Sequence, residues 1–129
     1  MHFGYTIAYV PDVEAAINFY ENAFGLRRRF ASDDWDYAEL ETGDTTLAFA
    51  NNRMADQLGF QIRQNSADQP AAGIELAFVT DDVEAGFRKA TEVGAVPVTD
   101  PHQTPWGQTV SYVRDLNGIL VEICSPVSS

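Results

Sequence analysis

Cysteine is almost missing from this chain: Cys124 is the single one. One thiol cannot close an internal disulfide, and it leaves no Cys-rich metal site. Histidine is scarce as well, with only His2 and His102. Zinc or nickel sites built on imidazole, and iron sites built on two imidazoles and a carboxylate, have little to draw on. Basic residues number 8 against 19 acidic ones, a formal net charge of −11. That charge repels nucleic acid and anionic membranes, so neither is an expected partner. No apolar run approaches the length needed to cross a bilayer. No basic-then-apolar stretch at the N-terminus reads as a signal peptide, so the cytoplasm is the expected location.

What is present suits one domain over residues 1–129, with a 45% hydrophobic fraction to build its core. The clearest feature is an internal repeat. The stretch from Tyr5 to Ala15 can be laid on that from Glu75 to Ala85 with a constant shift, and Asp12-Val13-Glu14-Ala15 then matches Asp82-Val83-Glu84-Ala85 without a gap. Each copy opens on a short apolar run with β-branched and aromatic residues, read as a strand, and continues into a helix. The first helix starts at Asp12, a good N-cap. It carries Val13, Ala16, Ile17, Tyr20 and Phe24 at helical spacing and stops at Gly25. The second starts near Asp82, buries Val83, Phe87 and Ala90, and stops at Gly94. Three strands are expected after each helix. In the first half they span about 26–32, 35–42 and 45–50. In the second they span about 96–98, 109–114 and 119–124, with a Pro-rich loop at 100–105 holding His102 and an Asn117-Gly118 turn before the last strand. The modules are thus about 1–50 and 73–125, joined by a polar loop at 51–72 of weak periodicity.

Two βαβββ halves, each with a strand running into a helix at a Val-x-Asp-like corner, resemble the vicinal-oxygen-chelate superfamily of glyoxalases, bleomycin-resistance proteins and extradiol dioxygenases. The residues that carry the resemblance are Tyr9-Val10-Pro11-Asp12-Val13, Phe19-Tyr20, Phe24-Gly25-Leu26 and the run from Arg114 to Glu122. Leu116 stands where that family usually has proline. The resemblance implies an α+β fold in which two tandem βαβββ modules form curved mixed sheets around a cleft, with helices outside. Strand alternation then turns Tyr5, Ile7 and Tyr9, Glu75, Ala77 and Val79, and Leu120, Glu122 and Cys124 toward the cleft.

The resemblance also implies where a metal would be held. Metal-using relatives place one ligand near the start of the first strand and one on the last strand of each half. Those positions fall on Tyr5, Ala48, Glu75 and Glu122. The second half thus offers two carboxylates, and the first a phenol and a methyl group. No cofactor is expected on this basis; a divalent cation on Glu75 and Glu122 is the alternative. Both glutamates interrupt apolar strands, and two carboxyls close together in a dry cleft would share a proton and make an acid–base pair.

Aromatic residues at strand ends suggest stacking of a flat or cationic ligand. The candidate ligand-binding set is Tyr5, Ile7, Tyr9, Trp35, Ala48, Glu75, Trp106, Tyr112 and Glu122, with Glu75 and Glu122 as the candidate catalytic pair. Cys124 is read as a buried thiol. The run Arg27-Arg28-Arg29 is either a solvated strand or an anchor for an anionic ligand or acidic partner.

Three functions compete. The first is a small-molecule binder of the bleomycin-resistance type, without a catalytic metal, whose cleft is shared across a homodimer. The second is a divalent-metal lyase, epimerase or isomerase of the glyoxalase type, favoured over a dioxygenase. The third is a non-enzymatic interaction domain that uses residues 27–29 and 51–72.

Overall fold

A computed structural model of the protein describes residues 1–127, so the last two residues of the expected domain lie outside the described part. The chain divides into two compact units, Met1–Gln64 and Asn65–Ser129.

In the first unit, β1 (Tyr5–Val10) leads into α1 (Val13–Phe24), followed by β2 (Arg27–Ala31), β3 (Tyr37–Glu41), β4 (Thr46–Asn51) and a short α2 (Arg53–Leu58). The sheet order is β1-β4-β3-β2, with β1 parallel to β4 and the other pairs antiparallel. In the second unit, β5 (Glu75–Val79) leads into α3 (Val83–Glu92), then β6 (Val96–Gln103), β7 (Thr109–Arg114) and β8 (Leu120–Cys124). Its order, β5-β8-β7-β6, repeats the first topology. Each unit is therefore a βαβββ module with an open, mixed four-stranded sheet, and the α+β class is as expected.

The repeated Asp-Val-Glu-Ala has a local job that explains why it recurs. Asp12 accepts a hydrogen bond from the Ala15 backbone N–H at 3.0 Å, and Asp82 accepts one from Ala85 at 3.0 Å. Each carboxylate satisfies a helix-start donor that would otherwise lack a partner. α1 ends at Gly25, whose φ of 70° closes the helix with a backbone bond to Glu21.

The two cores use different side chains on the same frame. In the first unit Tyr20 from α1 packs on Phe49 from β4 with ring centroids 4.9 Å apart, over buried Val10, Ile17 and Leu40. In the second, Val83 and Ala90 of α3 lie among buried Val113, Val121 and Ile123, while Phe87 is half-buried rather than fully enclosed.

Two expectations change, and a third point left open takes definite partners. β6 is longer than expected: it runs through the Pro-rich stretch to Gln103, and His102 pairs with Val110. Pro97 and Pro101 are tolerated because β6 is an edge strand, and its pairing slips twice along the way. The joining segment holds α2, with Ala55 buried and Gly59 closing it at a φ of 83°. Phe60, just beyond, meets Tyr9 edge-on at 6.0 Å. The arginine run is edge strand β2, and two of its members are engaged within the unit. Arg28 reaches Asn18 and Glu21 of α1, and Arg29 reaches Glu39 and Glu41 of β3. A charged, bulged edge of this kind also discourages pairing with other chains.

Candidate functional site

Each sheet has one face under its helix and one open face. Register partners share a face, so the open faces can be read directly. In the second unit, Glu75 pairs with Leu120, Ala77 with Glu122, and Glu122 with Tyr112. Glu75 and Glu122 are therefore diagonal neighbours on adjacent strands, on the one face to which strand alternation assigns both.

Desolvation, then the neighbouring Glu122 carboxyl and its charge, hold the Glu75 carboxyl above the usual carboxylate range. Glu75 is itself solvent-exposed at a sheet edge, which makes its partner the weightier cause. Tyr112 donates from its hydroxyl to Glu122 at 3.3 Å. Its phenol is pushed above the ordinary value by desolvation and by both glutamates. Cys124 continues the same face. Burial and then Glu122 push its thiol up to about 11, and Sγ lies 3.7 Å from the Phe78 carbonyl. A protonated, buried thiol is a poor nucleophile. Among the described residues, no Lys, Arg or His pairs with Glu75 or Glu122.

The first unit is built to the same register. Tyr5 pairs with Thr46, Ile7 with Ala48, and Ala48 with Glu39. Tyr5 therefore stands where Glu75 stands, and Ala48 where Glu122 stands. Sequence reasoning passed over Glu39. It lies on the open face beside Ala48, in the place Tyr112 holds in the second unit. Its carboxylate accepts a bond from the Tyr37 hydroxyl at 2.7 Å and faces the Arg29 guanidinium at 3.5 Å. Desolvation, Glu39 and the nearby Tyr5 phenol all push the Tyr37 phenol above its ordinary value, against a lowering from Arg29. The alternation Tyr37-Ala38-Glu39-Leu40-Glu41 carried the signal: Ala38 and Leu40 are buried, so the three polar-tipped residues share the other face.

The remaining candidates fall as follows. Tyr5 and Ile7 are exposed on the open face, and Tyr9 is half-buried against Phe60. Trp35 is engaged by Arg28, whose guanidinium carbon sits 5.0 Å from the ring centroid, on the strand residue that reaches α1. Trp106 is exposed at the β6–β7 turn and donates from Nε1 to Gln108 at 2.9 Å. A cleft of about 220 Å³ in the second unit lies apart from the glutamates, lined by Asp81, Asp82, Val83, Glu84, Thr109 and Ser125.

Neither unit by itself offers a donor set that suits a resident transition metal. In the first, Ala48 has no ligating atom and Tyr5 offers a phenol; in the second, Glu75 and Glu122 are two carboxylates; both histidines lie off these positions. Among the described residues no three His, Cys, Asp or Glu side chains converge on one point.

Comparison with known proteins bears on the whole chain. A family model described as Glyoxalase/Bleomycin resistance protein/Dioxygenase superfamily matches residues 2–123. The uncharacterized protein YraH of Bacillus subtilis (strain 168) is 22% identical over 115 residues, 88% of this chain and 90% of that one. A glyoxalase-related enzyme from Fulvimarina pelagi superposes with a TM-score of 0.83 at 17% identity, covering 98% of this chain and 88% of that one. A glyoxalase/bleomycin resistance protein/dioxygenase family enzyme from Burkholderia phytofirmans PsJN gives 0.78 at 19% identity, covering 97% and 98%. At these identities the solved structures speak to the fold alone.

Proposed function

The chain belongs to the glyoxalase/bleomycin resistance protein/dioxygenase superfamily, and on that premise we propose that it binds a cationic, aromatic small molecule without a catalytic metal, as a homodimer. The carrying observation is the Glu75–Glu122 pair, diagonal neighbours on one open face with no basic partner among the described residues, while its counterparts are Tyr5 and Ala48. Two adjacent carboxyls without a counter-ion favour a positively charged ligand, because like charges at close range raise each other's cost of ionisation. An organic cation relieves that cost without needing the four donors that a transition metal wants. The Tyr112 ring on the same face as the pair supplies a surface for stacking, and such faces also attract cations. The net charge of −11 draws cations in at long range. The superfamily's own description includes bleomycin resistance, which agrees with a binding role.

The test is calorimetric titration of metal-stripped protein with bleomycin and with ethidium, a planar aromatic cation. Saturable binding that weakens at least ten-fold in Glu122→Gln is expected, with sedimentation at twice the chain mass. Absence of binding by either compound would overturn the reading. The competing use of the pair is to hold a hard divalent cation through carboxylate oxygens and water. Metal analysis of protein purified without chelator, and a rise in melting temperature with added manganese or magnesium, would favour that use instead.

A further inference from the structure

Among the described residues, Arg114 is the arginine that the second unit places on its open face, and it does not serve the glutamates. Arg114 pairs with Leu120, which pairs with Glu75, so the three lie in one row across β7, β8 and β5. Its guanidinium goes elsewhere. Nε donates to the Gly118 carbonyl at 2.9 Å, and Nη2 donates to the carbonyls of Ser66 at 3.2 Å and Gln69 at 2.5 Å. Ser66 and Gln69 bracket a tight turn, closed by the Gln69 N–H on the Ser66 carbonyl and by the Asp68 N–H on Ser66 Oγ. The turn sits so close to Gly118 that a Cβ there would collide with the Ser66 carbonyl and with Arg114 itself.

We propose that residues 65–69 form a strap over the Arg114 end of this open face, and that Arg114 is its latch. The segment is neither helix nor strand and buries little. Asn65 and Ser66 are half-buried, and Ala67, Asp68, Gln69 and Pro70 are exposed. Few buried contacts and an exposed backbone mark an element that opens without unfolding its neighbours. Latched, the guanidinium is spread over three carbonyls and Glu75 lies in its row without it. Unlatched, the strap leaves that end of the face, and a long, flexible cation is freed beside Glu75. The strap thus governs both the access to the acidic row and the charge on it. This device is independent of which ligand the row takes.

The experiment uses the full chain and two variants. Arg114→Gln removes the charged donors, and Gly118→Ala keeps the arginine but puts a methyl group where both its guanidinium and the Ser66 carbonyl lie, which forces the two off their seat. Hydrogen exchange by mass spectrometry follows peptides over residues 64–72. Limited trypsin digestion follows cleavage after Arg63, the one basic residue between Arg53 and Arg88. Both variants should exchange and cut roughly ten-fold faster there, the size expected for losing hydrogen bonds from a charged donor. Labelling of Cys124, the single thiol, buried on the same sheet, should stay unchanged because the sheet stays closed. Wild-type rates at 64–72 in both variants would overturn the latch. So would a parallel rise in Cys124 labelling, which would make Arg114 a general prop of the fold.

Discussion

The central row of the first open face reads Ile7–Ala48–Glu39, and that of the second reads Ala77–Glu122–Tyr112. The rows occupy the same register of the same topology, yet the carboxylate has moved one strand over. Both units keep a phenol donating to a carboxylate, Tyr37 to Glu39 and Tyr112 to Glu122. They differ in what surrounds it. Glu39 has Arg29 beside it, whereas Glu122 has a second carboxyl, Glu75. On one face the carboxylate has a cation beside it, and on the other the pair has none within ion-pair reach among the described residues. A duplicated frame has therefore kept a hydrogen-bonding device and divided its electrostatics, which is why the second face is the one assigned to a cationic ligand.

The largest expected break in the comparison lies beneath the open faces. Phe49→Ala removes the buried ring that Tyr20 packs on and should cost about 3–5 kcal/mol in urea unfolding. The equivalent strand position in the second unit is Ile123, where Ile123→Val should cost only about 0.5–1.5 kcal/mol. Equal losses for the two would mean that the cores are not the aromatic and aliphatic versions described.

The helix caps sharpen the opposite point, that the frame is shared. Asp12→Ala and Asp82→Ala each delete one carboxylate-to-backbone bond of equal length. Each should lower stability by about 1 kcal/mol, and the two losses should agree to within a few tenths. A cap that matters in one unit alone would undo the equivalence of the repeats.

Matched charge deletions should then diverge in sign. Glu39→Gln loses the Arg29 attraction and should destabilise by at most about 1 kcal/mol, since the pair is partly exposed. Glu75→Gln relieves a like-charge contact and should leave the protein slightly more stable at neutral pH. Thermal melts of the two variants side by side decide it, and destabilisation by Glu75→Gln would contradict an unneutralised pair.

The smallest effect is a slope. Glu75 binds its proton more tightly folded than unfolded, so its favourable contribution is complete below the ordinary carboxyl range. It is lost as pH rises through the raised value. Wild-type stability measured by urea midpoints should therefore decline across that window more than Glu75→Gln does. Identical pH profiles would show that the Glu75 carboxyl is not held above its ordinary range.

Much of this was legible before any coordinates. The Asp-Val-Glu-Ala repeat announced two equal strand–helix corners because an N-cap aspartate is read by a backbone donor only three residues away. Period-two alternation put Glu75 and Glu122 on one face, and the observed register agrees. β6 was shortened in the reading because proline usually ends a strand, and only the sheet order revealed an edge where proline is harmless. Glu39 is not legible from the ligand positions of relatives, because those lie on two strands of the module and Glu39 lies on a third. Trp35 looked free to stack a ligand until Arg28 was found against its ring.

By itself, then, the sequence determined the frame: two βαβββ modules, their caps, and the faces of their strands. These follow from interactions among residues a few positions apart, whose spacing the chain spells out. Tertiary structure alone decided the partners. Arg29 goes to Glu39, Arg114 to the carbonyls of Ser66 and Gln69, and Glu75 to Glu122. Each of these depends on strand order and register across long loops, and a side chain's choice among neighbours it meets only after folding is written in no local pattern.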